Sequence, residues 1–319
     1  MTSKNFGVDI KQRAKDLFGT LSASEDTTTK KQETETMIIR RFFSEENFGR
    51  IQKHFSFLLK KINASLGELE LSIRDEYFNI YYKGNSLSKV TFREFNNYKI
   101  NINLKFFRGT LAEKKYKTYS KNEEGDYCSI ILSANQLNSF FQKKYLQEIA
   151  SKIKREHHKE EIIFEQSLIA DNRNKESFFF IDRQVTDAFN QRQFDLLALR
   201  QLEKDNNRYG FVVCEVKLGS SRELKNKVAE QLKFYVAHIN KNFKDYKKCY
   251  EEQYKQKKAL GLIDIPAFPS IEIEKSIDGL IIVGGYSGIA NEKIKSLKKK
   301  HKNLRIKQIT YNIDKFDEF

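Results

Sequence analysis

The sequence predicts an α/β protein in which a mixed central sheet follows a smaller α+β domain. Two observations lead to this fold class. The second half alternates helical and strand patterns in the order α-β-β-β-α-β-α-β, which is typical of helices packed on a central sheet. The first half contains short segments of period-two alternation separated by turn residues, which is typical of antiparallel strands. The 319 residues, 39% of them hydrophobic, are enough for both domains.

The N-terminal part is predicted to hold a polar segment and an accessory domain. Residues 1–36 have a helical pattern at the start and then a flexible link, because few apolar residues follow. Helical spacing of apolar residues predicts a helix over 38–66. We predict an accessory α+β domain over residues 37–140, built on an antiparallel meander. Its strands are predicted at 68–74, 77–82, 89–92 and 99–106, with turns at Gly84-Asn85 and Asn96-Asn97.

The remaining segment, residues 141–319, is predicted to form the α/β domain. Its strand around Leu280 is continuously apolar, as expected for a strand that is covered on both faces. The predicted elements are a helix over 146–170, strands at 177–184, 192–200 and 209–218, helices over 221–240 and 245–260, a strand at 279–284, a helix over 291–300 and a strand at 304–312.

The charge of the chain points to a negatively charged partner. The formal net charge is +15 and the isoelectric point is about 9.4, which favours nucleic acid or an anionic surface. No stretch is apolar enough to cross a membrane, so we expect no membrane partner. The three cysteines are far apart and form no CxxC pair, which favours a reducing cytoplasm.

The most informative residues are charged side chains inside apolar strands, where an unpaired charge is costly. Asp195 lies in FDLLAL, and Glu215 and Lys217 lie in FVVCEVK. Acidic-x-lysine triplets also occur elsewhere in the chain, so the apolar context is what distinguishes this one. Glu215 and Lys217 share one strand face because side chains alternate, and they lie at the carboxyl end, where ligands commonly bind.

If the two strands pair, Asp195 and Glu215 come within reach of one divalent cation. Mg²⁺ prefers oxygen ligands, which these carboxylates and the Val216 carbonyl would supply. Lys217 would then place a positive charge beside an attacking water or a phosphate. The alternative, a structural ion pair, explains two of the three charges and leaves the third unpaired.

The predicted helix over 221–240 adds two polar residues to the same region. Gln231 and Tyr235 lie on a stripe that is otherwise apolar, together with Leu224, Val228 and Ile239. A buried glutamine needs a hydrogen-bond partner. Gln231 therefore either belongs to the site or caps a loop, and the sequence leaves both readings open.

Asp195, Glu215-Val216-Lys217 and Gln231 to Tyr235 together resemble the PD-(D/E)xK nuclease superfamily, in its branch with a QxxxY helix. The resemblance covers about residues 145–312, with Phe194 at the position of the family's proline. It implies a restriction-endonuclease-like α-β-β-β-α-β core and hydrolysis of phosphodiester bonds with Mg²⁺, for which Mn²⁺ substitutes.

The resemblance also implies roles for individual residues. Asp195 and Glu215 hold the metal, Lys217 assists the nucleophilic water, and Gln231 and Tyr235 steady the site. A glutamate from the helix before the first core strand completes the metal ligands. Glu165 is the residue we expect there, and Glu161, one turn earlier, remains an alternative.

The expected function is that of a Mg²⁺-dependent nuclease acting on DNA, in defence, restriction or repair. The lysine clusters at 241–258 and 293–302 would neutralise phosphates. The alternatives are an inactive nuclease-like module that binds nucleic acid, and a scaffold for an acidic protein. RNA as substrate, a homo-oligomer and a regulatory partner acting through residues 37–140 stay open.

Overall fold

Two β-sheets organise the chain, one antiparallel and one mixed. The computed structural model describes residues 37–122, 125–156, 159–188, 193–204, 206–263, 268–285 and 287–309. Met37–Phe319 forms one unit. The helix and link predicted within residues 1–36 lie outside the described residues. No helix of the described part is long and apolar enough to span a bilayer.

The antiparallel sheet and its helices come first in the chain. The sheet has six strands in the order β1-β2-β3-β4-β6-β5, and every neighbouring pair is antiparallel. The meander predicted for the first four strands is confirmed, whereas β5 and β6 were not predicted. The elements are α1 (Glu45–His54), α2 (Ser56–Ala64), β1 (Leu69–Ile73), β2 (Tyr77–Tyr82), β3 (Asn85–Phe92), β4 (Asn97–Asn103), α3 (Leu104–Phe107), α4 (Leu111–Lys115), β5 (Ser120–Lys121), β6 (Tyr127–Ser133) and α5 (Ala134–Phe140).

The helix predicted over 38–66 is wrong in its first part. Helix α1 begins at Glu45 because Ser44 caps it, accepting a hydrogen bond from the Asn47 amide. The preceding residues instead bind the second half of the chain. The backbone of Phe43 exchanges two hydrogen bonds with the Gln256 side chain, at 2.9 and 2.8 Å.

The mixed sheet has the order β11-β10-β9-β8-β7. Strands β7, β8 and β9 are antiparallel, and β9, β10 and β11 are parallel, which confirms the predicted α/β class with a mixed sheet. Helices connect the parallel strands, as such connections require. The elements are α6 (Lys143–Glu156), α7 (Glu160–Asp171), β7 (Phe178–Val185), β8 (Phe194–Gln201), β9 (Arg208–Leu218), α8 (Glu223–Asn226), α9 (Val228–Lys241), α10 (Phe243–Ala259), β10 (Glu272–Gly284), α11 (Ser287–Lys300) and β11 (Arg305–Ile309).

Several bounds differ from the sequence-based prediction. The strand predicted over 99–106 ends at Asn103, directly before α3, and the strand predicted over 279–284 begins at Glu272. The helix predicted over 221–240 is α8 followed by α9. The helix predicted over 146–170 is two helices, α6 and α7. Helix α6 packs in the core of the first sheet, where Ile149 and Ile153 join Phe55 and Tyr98. The division near residue 140 stays a prediction, and α6 shares its apolar core with the first sheet.

Helices cover both faces of the mixed sheet. Residues of α9, α10 and α11 pack with Leu197 and Val213 on one face. Leu168 of α7 packs with Leu196 and Cys214 on the other face. Because the sheet is covered on both sides, its central strands are buried along most of their length, as β9 illustrates.

Strand β7 forms one edge of the mixed sheet, and cationic side chains cover its carbonyl groups. The Ile181 carbonyl accepts from Lys257 Nζ, the Arg183 carbonyl from Arg74 Nη2 at 3.1 Å, and the Gln184 carbonyl from Arg41 Nη2 at 3.2 Å. Backbone acceptors of an edge strand need partners when they are buried. These three cations fill that need where the two sheets meet.

Candidate active site

Strand pairing brings Asp195, Glu215 and Lys217 together. In the β8–β9 register Leu196 faces Cys214. Asp195 of β8 therefore lies beside Glu215, near the carboxyl end of β9. One oxygen of Asp195, Oδ2, accepts from the Val216 amide at 2.8 Å and from Lys217 Nζ at 3.1 Å. The three residues that the sequence singled out are therefore in direct or near contact at one end of the sheet.

Lys217 lies at the centre of a group of carboxylates. Its side chain is buried, and its Nζ atom donates to the Val216 carbonyl at 2.8 Å. Besides Asp195, the Nζ atom lies 3.6 Å from Glu215, 3.6 Å from Glu161 and 3.7 Å from Glu223. We call these five residues the strand-end cluster. Burial alone lowers the pKa of Lys217, but the surrounding carboxylates, Asp195 first, raise it above its ordinary value, so the ammonium stays charged.

Of the carboxyl groups in the cluster, that of Glu215 has its charge least compensated by hydrogen-bond donors and positive charges. Its side chain is 4% exposed, and its Oε1 atom has no hydrogen-bond partner in the described part of the chain. Burial, and then the charge of Asp195, raise the pKa of Glu215 to about 9. An ionised Glu215 therefore needs a further positive charge or hydrogen-bond donor at Oε1.

Helix α7 carries the two glutamates that were considered as a further ligand. Glu161 contacts Lys217, as described above, and burial raises its pKa. Glu165 is instead 3.3 Å from Arg183, and burial followed by Asp195 raises its pKa to about 8. Helix α7 packs closely on the sheet: a Cβ atom on Gly284 would lie 2.5 Å from the ring of Phe164.

Helix α9 supports the strand that carries Asp195. The hydroxyl of Tyr235 donates to the Gln193 carbonyl at 3.0 Å, and its ring lies 5.2 Å from that of Phe194. Gln231, one turn earlier, has a buried Oε1 atom that lacks a hydrogen-bond partner among the described residues. The hydrogen-bond partner expected for Gln231 is therefore not found at this oxygen. That Gln231 steadies the site stays a prediction.

The residues of the strand-end cluster fit a hard cation by their chemistry. They offer carboxylate oxygens, and the free Oε1 atom of Glu215 is a buried acceptor without a donor. In the described ranges, however, no group of three or more His, Cys, Asp or Glu residues is arranged to hold a metal. The Val216 carbonyl, predicted as a ligand, accepts from Lys217 Nζ. The ammonium thus takes the central position among the oxygens.

A second charged group, which the sequence analysis missed, lies where the two sheets meet. Asp182 is fully buried and lies 2.8 Å from Arg74 and 2.9 Å from Arg41. Tyr250 donates to it at 3.0 Å, and Lys257 lies nearby. We call these five residues the junction cluster. The signal was present in the sequence, because Asp182 and Arg183 follow four apolar residues in FFFIDR.

Arg183 links this junction to the candidate site. It is fully buried, and it lies 3.1 Å from Glu70 of β1 and 3.3 Å from Glu165 of α7. It donates to Gln166 at 2.6 Å, and its guanidinium lies 4.8 Å from the ring centre of Tyr81. A residue of the first sheet and a residue of the site helix therefore share one guanidinium group.

The lysine clusters at 241–258 and 293–302, which were expected to neutralise phosphates, are only partly at the surface. Lys257 is buried, and Lys247 donates to the Ile273 carbonyl at 2.8 Å. Lys300 and Lys302 line a groove of about 770 Å³ between α9, β10 and β11. The charged residues of this groove are all basic: Lys233, Lys275, Lys300, Lys302 and Arg305, with His301 beside them.

No protein-family model matches this chain, and searches of curated proteins and of solved structures find no similar protein. The function is therefore inferred from the residues and their geometry.

Proposed function

We propose that the protein is a metal-dependent nuclease that hydrolyses phosphodiester bonds of DNA, with a restriction-endonuclease-like core over 141–319. The observation that carries the proposal is the buried Glu215 beside Asp195 and Lys217, whose Oε1 atom has no hydrogen-bond partner among the described residues. A carboxylate in such surroundings is typical of functional sites. The order α7, β7, β8, β9, α9 and β10, with α8 and α10 as additional helices between β9 and β10, supports the proposed core.

Asp195 and Glu215 would hold Mg²⁺ or Mn²⁺, with water filling the remaining positions. When bound, the ion supplies a Lewis acid and lowers the pKa of its water. Lys217 carries a charge that stabilises negative charge developing on a phosphate. Tyr235 holds the backbone before Asp195 in place through the Gln193 carbonyl.

For the helix carboxylate, the contacts favour Glu161 over Glu165. Glu161 is 3.6 Å from Lys217 Nζ, whereas Glu165 pairs with Arg183. Both remain close enough to Asp195 for its charge to raise their pKa values. Glu165 would then contribute by orienting the helix through Arg183.

Nucleic acid is the substrate class that the charge of the chain supports. The basic groove beside α9 has no carboxylate in its lining, and the net charge is +15. Phosphate contacts by such lysines supply most of the non-specific affinity for DNA. A role in defence, restriction or repair rests on analogy with the fold alone.

One observation favours the second candidate, a nuclease-like module that binds nucleic acid without cutting it. Lys217 Nζ already bonds to Asp195 and to the Val216 carbonyl, at 3.1 and 2.8 Å. If the ammonium serves as the permanent counter-charge, no metal is required. Cleavage and binding must therefore be measured separately.

The test is cleavage of linear and circular plasmid DNA, and of labelled RNA, with Mg²⁺, Mn²⁺ or EDTA. The variants are Glu215→Gln and Lys217→Ala. The matched controls are Glu203→Gln and Lys204→Ala, which alter exposed residues at the opposite end of the β8–β9 hairpin. We expect metal-dependent cutting of DNA that falls more than about 100-fold in both site variants, because even residues that only orient metal ligands contribute 10- to 100-fold.

The controls should cut as the wild type does. Cutting in EDTA, or full activity of Lys217→Ala, would contradict the proposal. DNA binding without cutting under any of these metals would favour the inactive module.

A further inference from the structure

One face of the first sheet lies on the apolar core. The other face is covered at Ser72 of β1 and Tyr81 of β2, and it is open along β3, β4 and β6, where its side chains are exposed or half-buried. Ile100 of β4 and Ile130 of β6 point into the core, and their neighbours along each strand point outward. The strand register aligns these outward residues in rows. One row contains Asn79, Lys89, Asn101 and Ser129, the next contains Tyr77, Thr91, Lys99 and Ile131, and Asn103 pairs with Tyr127.

The composition of this open face differs from that of an ordinary solvated surface. The outward positions of β3, β4 and β6 carry lysines, amides, hydroxyls and apolar side chains, but no aspartate or glutamate. Tyr127 is 43% exposed and Ile131 is 57% exposed. Two large side chains are thus offered to a ligand, and the described outward residues of β3, β4 and β6 carry positive charges alone.

The two lysines of the face have no carboxylate beside them among the described residues of β3, β4 and β6. Lys89 Nζ lies 3.8 Å from the ring centre of Tyr77, and Lys99 projects from the neighbouring strand. Burial, and then the charge of Lys99, lower the pKa of Lys89. An anion placed between the two ammonium groups would remove their mutual repulsion.

The face also contains a buried amide acceptor without a donor. The Nδ2 group of Asn79 donates to the Tyr81 hydroxyl at 3.2 Å, whereas its Oδ1 atom has no hydrogen-bond partner among the described residues. This oxygen is buried, so the amino group of a base would reach it only after the Asn79 side chain rotates outward.

We propose that the open face of β3, β4 and β6 binds single-stranded nucleic acid. Lys89 and Lys99 contact phosphates, and Tyr127 stacks on a base. Positive charge interleaved with exposed aromatic rings is the usual composition of single-strand binding surfaces. A base reaches the Tyr127 ring only when it is unpaired, so the face distinguishes a single strand from a duplex.

The same face leads toward the candidate active site. Tyr81 follows Asn79 along β2 and packs under Arg183, whose guanidinium pairs with Glu165 of the site helix. The open face therefore ends where Arg183 covers Tyr81, on the side of the sheet where α7 lies, and a bound strand that passes this edge would meet the site helix. This delivery of the strand to the site rests on the proposed nuclease function, whereas the binding itself does not.

The experiment measures fluorescence anisotropy of a labelled DNA oligonucleotide, single-stranded or annealed, with the full chain in EDTA. The face variants are the double change Lys89→Ala/Lys99→Ala and the single change Tyr127→Ala. The matched controls are Lys60→Ala/Lys114→Ala, which removes two exposed lysines elsewhere, and Phe95→Ala, which removes an exposed ring in the β3–β4 turn. Circular dichroism establishes that every variant is folded.

We expect the wild type to bind the single strand more tightly than the duplex. The Lys89→Ala/Lys99→Ala variant should reduce the slope of log affinity against log salt by about 1.4, since each phosphate contact with a single strand contributes about 0.7. Tyr127→Ala should weaken binding about 5- to 100-fold without changing that slope. Both controls should bind as the wild type does.

Equal losses in the face variants and their controls would overturn the inference, as would tighter binding to duplex. Labelled RNA of the same sequence shows whether the sugar matters. Glu215→Gln separates the two proposals, because it should abolish cleavage and keep single-strand binding. Binding that depends on the face, with no cleavage by the wild type, would defeat only the nuclease proposal.

Discussion

Asp182 and Glu215 are both carboxyl groups buried in strands of the mixed sheet, but their surroundings differ. Asp182 lies within 2.9 Å of two arginines and accepts from Tyr250. Burial alone would raise the pKa of Asp182, but Arg41 and Arg74 lower it below its ordinary value. Glu215 has a single ammonium at 3.6 Å, an oxygen without a partner and a pKa raised to about 9.

The difference distinguishes a structural charge from one that awaits a ligand. In the junction cluster the one carboxylate, Asp182, is fully compensated, because Arg41, Arg74 and Lys257 surround it in positive excess and Tyr250 donates to it. The strand-end cluster has several carboxylates around one lysine, so its balance is completed only by protons or by an added cation. The four predictions that follow test this contrast.

The largest effect is expected at the junction cluster. Asp182→Asn leaves Arg41 and Arg74 buried without their counter-charge, so we expect a loss of about 3–5 kcal/mol in the free energy of unfolding. Urea unfolding followed by circular dichroism measures it. The control is Asp278→Asn, which removes surface pairs with Arg200 and Arg305 and should cost about 1 kcal/mol or less. Equal losses would contradict a special role for Asp182.

Metal binding should stabilise the strand-end cluster. At a Mg²⁺ or Mn²⁺ concentration 100 times the dissociation constant, the wild type should gain about 2.7 kcal/mol in the free energy of unfolding. Glu215→Gln should lose this gain because it removes the carboxylate with the free oxygen, and Glu203→Gln should keep it. Thermal unfolding with and without metal is the measurement. A gain in Glu215→Gln equal to that of the wild type would show that the ion binds elsewhere.

Glu215 of the strand-end cluster and the neighbouring Glu165 should make stability in EDTA depend on pH in the opposite sense to Asp182 of the junction cluster. The pKa values of Glu215 and Glu165 are raised to about 9 and about 8, so the folded state binds more protons than the unfolded state above pH 4.5. Stability therefore falls as pH rises from there toward 9, by at least about 1.4 kcal/mol, the value of one pKa unit. Asp182 acts in the opposite direction, since its lowered pKa gives stability that is lost on acidification.

Urea unfolding across this pH range tests the sign. The double variant Glu165→Gln/Glu215→Gln should flatten the alkaline decline and leave the acid decline in place. A decline that persists unchanged in the double variant would assign it to other groups.

The smallest difference in the free energy of unfolding is expected between two variants that each lack one tyrosine hydroxyl. Tyr250→Phe removes a buried bond to the charged Asp182 and should cost about 1.5–3 kcal/mol. Tyr235→Phe removes a bond to the uncharged Gln193 carbonyl and should cost about 0.5–1.5 kcal/mol. Thermal unfolding of both variants gives the comparison. A larger loss for Tyr235→Phe would contradict the expectation that the bond to the charged acceptor is the stronger of the two.

The sequence predicted the parts of the fold that local periodicity determines. Strands β8 and β9 are short apolar runs joined by a short loop, so the approach of Asp195 to Glu215 followed from pairing. Strand β6 was missed because Tyr127 and Ile131 are exposed on the face opposite Cys128 and Ile130. With apolar residues on both faces, the alternation between apolar and polar residues is lost.

Contacts between distant parts of the chain were beyond prediction. Arg74 and Asp182 are separated by 108 positions, and no local pattern relates them. Lys257 lies in a lysine-rich run that indicates a solvated helix. In the structure it is buried, and its Nζ atom donates to the Ile181 carbonyl of β7. The sequence identified the apolar strands that carry charge, whereas the partner of each charge required the structure.

The cations along strand β7 make the two halves of the chain chemically interdependent. Arg41 and Arg74, which lie before residue 140, donate to the carbonyl groups of Gln184 and Arg183. A chain shortened to residues 141–319 would keep β7 and lose both donors. Its exposed edge would offer free carbonyl groups to the same edge of another copy, a known route to aggregation. The residues before position 140 that donate to β7 therefore prevent this edge of the mixed sheet from pairing with another copy.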